Sequence, residues 1–231
     1  MKCFVLGVLC MVASLFASED PSSNEVIFST IYETGGWDTE DGVKGTSGSG
    51  SSPKNAKIYI EFLKDFLTSK QIKSVVDLGC GDWQISQLID WKGIQYKGVD
   101  VASNVIERNK MLYASENISF VRADGIDNVL PKADLLICKD VLQHLPFSDI
   151  LSVITQLSKF KYCIIVNDVD PVTLTCENKD IPRGHYRLLD LTKPPFSLSG
   201  RKVLSYVSAK ETKQVLLIEN KYPIIENTNP N

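Results

Sequence analysis

What the sequence does without narrows it before any motif is considered. Basic runs are missing: 25 Lys+Arg stand against 28 Asp+Glu, a net charge of −3, so the electrostatic footprint of a DNA- or RNA-binding protein is absent. Histidine occurs twice and no two cysteines are spaced as CxxC, which leaves a structural zinc site without its usual ligands. Cys3 and Cys10 fall at the N-terminus, whereas Cys80, Cys138, Cys163 and Cys176 are scattered. Three of these four sit in expected core strands or a glycine turn, and read as buried free thiols rather than disulfides. No internal repeat is visible. The longest apolar run, residues 3–16, is too short for a comfortable membrane span.

That run does have a reading of its own. Lys2, the apolar stretch and then Ala17-Ser18-Glu19-Asp20 form the layout of a secretory signal peptide over residues 1–17, cleaved near Ala17. The expectation is a secreted or secretory-pathway protein, with no stable membrane span after cleavage. The alternatives are an uncleaved signal anchor, or a cytoplasmic protein in which the leader is unused.

The rest, at 43% hydrophobic, is enough to bury one good core. Residues 18–52 are polar and rich in Gly and Ser, a flexible linker by composition or, in the sharper reading, a lid. Residues 53–222 are the expected main domain and 223–231 a loose tail. Ser52-Pro53 reads as a helix start, followed by Tyr59, Phe62, Leu63, Phe66 and Leu67 on one face, a core stripe.

The organising stretch is Ser74-Val75-Val76-Asp77-Leu78-Gly79-Cys80-Gly81-Asp82-Trp83. An apolar β-branched run without alternation predicts a strand buried on both faces of a parallel sheet. Gly79 and Gly81 predict a tight turn that a ligand can approach, and Asp82 a cap for a helix with Ile85, Leu88 and Ile89 inward. This is a cofactor crevice, and its acids choose between cofactors. The dinucleotide fingerprint requires a third glycine where Gln84 stands, and a pyrophosphate would face Asp77 and Asp82. S-adenosylmethionine has no phosphate and carries a sulfonium and an ammonium, which carboxylates favour.

Four further strands are expected. Residues 95–99 end at Asp100, placed to accept from both ribose hydroxyls; Ser103 is then the cap of the next helix. Residues 118–123 end at Asp124-Gly125, where an acid can accept from an adenine amino group or simply close a turn. Residues 134–138 lead into Lys139-Asp140-Val141-Leu142-Gln143-His144-Leu145-Pro146, then a helix with Ile150, Leu151, Ile154 and Leu157 inward. Residues 162–166 end at Asn167-Asp168. Lys139, Asp140, His144, Asn167 and Asp168 should therefore meet on one rim, with His144 and Asp168 as candidate bases. A metal held by Asp140, Asp168 and Asp170 lacks a fixed ligand spacing, and none is expected. Residues 168–200 read as a substrate-covering insertion, and residues 203–208 and 213–219 as a closing hairpin.

The order of these parts, Asp77-Leu78-Gly79-Cys80-Gly81, then Asp100, Asp124 and Lys139-Asp140-Val141-Leu142-Gln143-His144-Leu145, resembles class I S-adenosylmethionine-dependent methyltransferases. With Gly81-Asp82-Trp83, Asn167-Asp168, Tyr186-Arg187 and Pro194-Pro195-Phe196 it looks more narrowly like a bacterial-type methyltransferase-like group. The resemblance implies a Rossmann-like α/β fold with a seven-stranded, mostly parallel sheet whose last strand is antiparallel, with helices on both faces. It also implies a cofactor site formed by Asp77, Gly79, Gly81, Asp100, Val101, Asp124, Gly125 and Lys139. The expected activity is methyl transfer to an oxygen or nitrogen of a small-molecule or glycan-type acceptor. An exported S-adenosylmethionine-binding protein without catalysis and a nicotinamide-dependent oxidoreductase are the alternatives.

Overall fold

Runs of β-branched and aliphatic residues build the centre of the molecule. In the computed structural model, which describes residues 20, 23–37, 46–170 and 177–221, Ser74–Leu78 (β1), Gln95–Asp100 (β2), Ile118–Arg122 (β3), Leu135–Lys139 (β4) and Tyr162–Val169 (β5) lie parallel. Arg201–Ser208 (β6) and Glu211–Glu219 (β7) form the closing hairpin, with β7 antiparallel to β5. The sheet order is β3-β2-β1-β4-β5-β7-β6. Strand order reverses between β1 and β4, which opens a crevice at their C-terminal ends, where α/β sheets bind ligands. The expected fold is thus present: a seven-stranded, mostly parallel Rossmann-like sheet covered on both faces by helices.

The helices are Asn24–Thr34 (α1), Lys57–Ser69 (α2), Ser103–Tyr113 (α3) and Phe147–Gln156 (α4). Alternation along β1 sends Val76 and Leu78 into a core shared with Phe28 of α1, Val105 of α3 and Ile150 of α4. It sends Val75 to the other face, against Tyr59, Leu63 and Phe66 of α2 together with Trp83 and Trp91. Because Phe28 and Tyr32 of α1 belong to the first of these cores, α1 packs with the domain expected over residues 53–222. The signal-peptide stretch 1–17 and the tail 223–231 lie outside the described residues, as do 38–45 of the Gly/Ser-rich segment.

Several local expectations need correction. No α-helix follows the glycine turn, because Gly81 and then Trp83 hold positive φ (54° and 62°), a conformation that cannot open a right-handed helix. Only a short 3-10 turn, Ser86–Leu88, forms there; Leu88 is exposed, and Asp82 accepts from the Gln84 side-chain amide rather than capping. Residues 52–56 turn before α2 starts, so the helix begins later than Ser52-Pro53 implied. Ser103 does not cap α3; the Asp100 carboxylate instead accepts from the Ala102 amide. In α4, Leu151 faces solvent and Val153 packs inward. β5 runs through Asn167-Asp168 to Val169, paired along its length with β7.

Candidate active site

The crevice holds a cavity of about 310 Å³, at the lower end of the range for small-molecule sites. The glycine turn forms its floor. Gly79 has φ 71°, and a Cβ there would lie 2.1 Å from Val141 Cγ2; at Gly81 it would lie 2.2 Å from Ser47 Oγ. Neither position accepts a side chain. The turn is held from behind: Asn109 Nδ2 donates to the Gly81 carbonyl at 2.7 Å, and the Asp82 amide donates to Ser47 Oγ at 2.9 Å. Ser47 also bonds the Tyr32 hydroxyl at 2.9 Å. The segment 47–51 therefore lies against the cavity and lines it.

One end of the cavity is rich in acceptors. Asp77 and Asp100 are both buried there. Asp77 Oδ2 accepts from Tyr96 OH at 2.6 Å and Ser86 Oγ at 3.2 Å, whereas no donor among the described residues reaches Oδ1. Burial pushes the Asp77 carboxyl up to about 6. Asp100 accepts from the Gly81 and Ala102 amides, each at 3.0 Å, and burial raises it above the ordinary carboxylate range despite these bonds. Neither acid has an ion-pair partner among the described residues. Val101 and Asp124 extend this wall; Asp124 Oδ1 closes a turn onto the Ile126 and Asp127 amides at 2.9 and 3.0 Å. Gly125 departs from the expected site: it is not on the cavity wall, a Cβ there would press on Leu78 and Leu130, and its carbonyl accepts from Gln156. It is a packing glycine.

The other end is a charge cluster. Lys139 Nζ pairs with Asp140 and donates to the Gly50 carbonyl at 3.2 Å. Lys213 Nζ lies 2.8 Å from Asp140 Oδ1 and 2.7 Å from Asp168 Oδ1. Burial would raise the Asp140 carboxyl, but the Lys139 and Lys213 ammoniums outweigh it and hold Asp140 low. Burial lowers Lys139, while Asp140 and Asp168 overcome burial at Lys213 and raise it. Asp168 Oδ2 accepts from Gln143 Nε2 at 3.1 Å and Tyr186 OH at 3.3 Å. The cation between Asp140 and Asp168 is thus a lysine, and among the described residues no His/Cys/Asp/Glu group is placed to hold a metal ion.

An aromatic wall joins the two ends. Tyr32 and Trp37 ring centroids are 5.3 Å apart, Trp37 and His144 5.2 Å, and His144 and Tyr186 5.9 Å. His144 Nδ1 lies 2.9 Å from the His185 carbonyl, so Nδ1 carries the proton and Nε2 keeps a free lone pair. Burial holds the imidazole below its ordinary value against the His185 carbonyl and the nearby acids.

Of the expected rim, Lys139, Asp140, His144 and Asp168 share the cavity. Asn167 does not: strand alternation turns it to the opposite face, beside Leu189 and Leu191. The described part of the insertion 168–200 buries Leu189, Leu191 and Phe196 in the core and brings Asp168 and Tyr186 to the cavity. Sequence reasoning missed Lys213, Ser47, Tyr32 and Trp37, and read Tyr59 as core alone, although it also lines the cavity.

Residues 76–160 match the family model described as a methyltransferase domain. Magnesium protoporphyrin IX methyltransferase from Synechocystis PCC 6803 with bound SAM is similar at a TM-score of 0.58 and 15% identity, over 84% of this chain and 96% of that one. The N-methyltransferase NodS from Bradyrhizobium japonicum WM9, in complex with S-adenosyl-L-homocysteine, is similar at 0.57 and 15%, over 74% and 89%. The N-terminal domain of EvdMO1 with SAH bound gives 0.55 and 15%, over 79% and 90%. No curated protein matches. Residues 76–160 are thus similar to a methyltransferase domain, and the chain has the fold of these class I methyltransferase structures.

Proposed function

We propose that the chain is an S-adenosylmethionine-dependent methyltransferase acting on an oxygen or nitrogen nucleophile of a small-molecule or glycan-type acceptor. One observation carries this reading: Asp77 and Asp100 are buried on one cavity wall and neither makes an ion pair among the described residues. A ligand that brings an ammonium and hydroxyl donors compensates both acids. A dinucleotide would bring its diphosphate against them, and Gln84 stands where its fingerprint requires glycine. The family match and the SAM- or SAH-bound neighbours support the same choice.

When bound, S-adenosylmethionine supplies an electrophilic methyl on sulfonium. In this reading Asp100 accepts from the ribose hydroxyls, Asp77 faces the amino-acid moiety, Asp124 faces the adenine end, and Gly79 and Gly81 allow close approach. Holding the acceptor beside the methyl in near-attack geometry is worth about 7–11 kcal/mol. His144, neutral with Nε2 free, takes the acceptor proton, a further ~10²–10⁴-fold. Asp168, engaged by Lys213, Gln143 and Tyr186, orients rather than abstracts. We assign export to the leader 1–17; N-terminal sequencing of the protein from its host tests that assignment.

The experiment for the activity is calorimetric titration with S-adenosylmethionine and with NAD in parallel, followed by incubation with methyl-labelled donor and host extract. Binding of the sulfonium nucleoside with label transfer supports the proposal. Binding of NAD in its place would overturn it.

A further inference from the structure

His144 is seated by a stretch of chain that lies beyond β5. A short 3-10 turn, Leu142–His144, leaves most of its carbonyls without partners of its own, so its shape depends on what donates to them. Residues 184–187 do so at four consecutive carbonyls. Arg187 Nη2 donates to Leu142 at 3.4 Å, the Arg187 amide to Gln143 at 3.2 Å, the Gly184 amide to His144 at 2.9 Å and Arg187 Nη1 to Leu145 at 2.8 Å. The His185 carbonyl adds a fifth bond, from His144 Nδ1 at 2.9 Å. Gly184 pins the stretch from the other side: at φ 77° a Cβ would lie 2.8 Å from Ile27 Cγ2 of α1. Arg187 itself is 7% exposed, lies 5.4 Å over the Phe147 ring, makes no ion pair among the described residues and does not line the cavity. Burial lowers its guanidinium to about 10 against the field of Asp180, so it stays charged at neutral pH. A cation buried on carbonyls and a ring costs stability that an apolar side chain would not. What the planar fork adds is a fixed spacing between the two carbonyls on either side of His144.

We infer that Arg187 is the positioning residue for the base: its guanidinium fork sets the 142–145 turn so that the His144 ring meets the His185 carbonyl through Nδ1 and leaves Nε2 free for the acceptor proton. The inference rests on the methyltransferase reading, in which His144 takes that proton, and deepens it. Without the fork the Leu142 and Leu145 carbonyls lose their guanidinium donors, the bond from Nδ1 to His185 loosens, and the tautomer with its proton on Nε2 becomes accessible. That tautomer has no lone pair to offer the acceptor. A base displaced by about 1 Å also forfeits on the order of 10²-fold in rate. Asp140, Asp168 and Lys213 act on the ring as well, and a change at Arg187 leaves all three in place.

The chain has two histidines, so NMR of nitrogen-labelled histidine reads both rings without crowding. His185→Gln assigns them and keeps the backbone carbonyl at that position. The full chain saturated with S-adenosylhomocysteine is titrated with acid as wild type, Arg187→Met and Arg187→Lys, and label transfer from methyl-labelled donor into host extract is followed in parallel. Wild-type His144 should show one tautomer, protonated on Nδ1, and titrate below 6.5. In Arg187→Met both tautomers should appear, the titration should move up toward 6.5, and label transfer at saturating donor should fall about 10²-fold while S-adenosylhomocysteine affinity holds. Arg187→Lys keeps the charge and loses the fork, so it should fall between the two; it decides alone if Arg187→Met does not fold. An unchanged tautomer and titration in the folded variants, or full label transfer despite an altered ring, would overturn the inference. Loss of S-adenosylhomocysteine binding in Arg187→Lys would do so too, because the residue would then serve the fold at large. Failure of the wild type to bind S-adenosylhomocysteine defeats the methyltransferase reading itself, and is read before any ring is titrated.

Discussion

Lys213 on β7 stands directly across from Asp168 on β5 in the antiparallel ladder, and its ammonium reaches both that carboxylate and Asp140. Lys213 is 3% exposed. Removing its charge leaves the buried Asp168 without an ion-pair partner among the described residues and Asp140 with Lys139 alone, and breaking a buried pair from one side costs about 3–5 kcal/mol. Lys213→Met should therefore lower the denaturation midpoint steeply. Adding Asp168→Asn should recover part of the loss, as coupled sites do. Chemical unfolding of the single and double variants measures both, and additive losses would contradict the geometry.

The carboxyl of Asp77 ionises late. An unfolded Asp gives up its proton near 3.8, and burial defers this to about 6 in the fold, with Tyr96 and Ser86 opposing and Asp100 adding to the shift. Between those pH values the folded chain keeps a proton that the unfolded chain has lost. Stability from this residue therefore falls as pH rises from about 4 to about 6, by roughly 3 kcal/mol at most, and is level above. Asp77→Asn should gain on the wild type across that window. A cationic ligand favours the ionised acid, so S-adenosylmethionine binding should release a proton near pH 6 and weaken below it. Calorimetry in buffers of different ionisation enthalpy reads that proton, and Asp77→Asn should abolish it.

Ser47 and Gly81 meet so closely that a methyl group cannot enter between them. Gly81→Ala places its Cβ 2.2 Å from Ser47 Oγ at φ 54°. Left-handed backbone costs an L-residue about 1–2 kcal/mol and overpacking about 1–3 kcal/mol. Ser47→Gly should remove the second cost and leave the first. Thermal unfolding of Gly81→Ala with and without Ser47→Gly separates them; no recovery would mean that the segment 47–51 does not rest on the turn.

These contacts mark where sequence stops being informative. β1 to β5 were legible because buried parallel strands need runs such as Val75-Val76 and Leu135-Leu136-Ile137, whatever surrounds them. Asp100 was legible because its distance from the glycines is fixed by one crossover. Asn167-Asp168 looked like a strand end because polar residues interrupt the apolar pattern; β5 continues because Asp168 finds Lys213 across the ladder. That lysine has no local signal, since its burial depends on acids from β4 and β5. Trp83 hid the lost helix, because nothing in a tryptophan announces positive φ. Ser47 could not be told from linker serines by composition; its role is defined by the amide of Asp82 and the hydroxyl of Tyr32.

Asp100 accepts two backbone amides and also lines the cavity, so its variants separate turn from ligand. Asp100→Ala should weaken S-adenosylmethionine binding by one to two orders of magnitude, about 1.4–2.7 kcal/mol, and loosen the turn as well. Asp100→Asn keeps an acceptor oxygen and should hold the fold better than it holds the ribose. Calorimetric affinity set against unfolding midpoint distinguishes the two losses. Unchanged affinity in both variants would remove Asp100 from the binding site.

His144 carries the last prediction, because its neutral state follows from its surroundings. With Nδ1 bonded to the His185 carbonyl and burial holding the ring below its ordinary value, Nε2 stays free at pH 7 and protonates only on the acid side of 6.5. Turnover should fall as pH drops through that lowered value, since protonation removes the base. His144→Asn should lower kcat by about 10²–10⁴-fold and erase the acid limb. S-adenosylmethionine affinity, which we propose is set at the Asp77 and Asp100 end, should change far less. A variant that loses cofactor binding as much as turnover would show the ring to be packing for the aromatic wall instead.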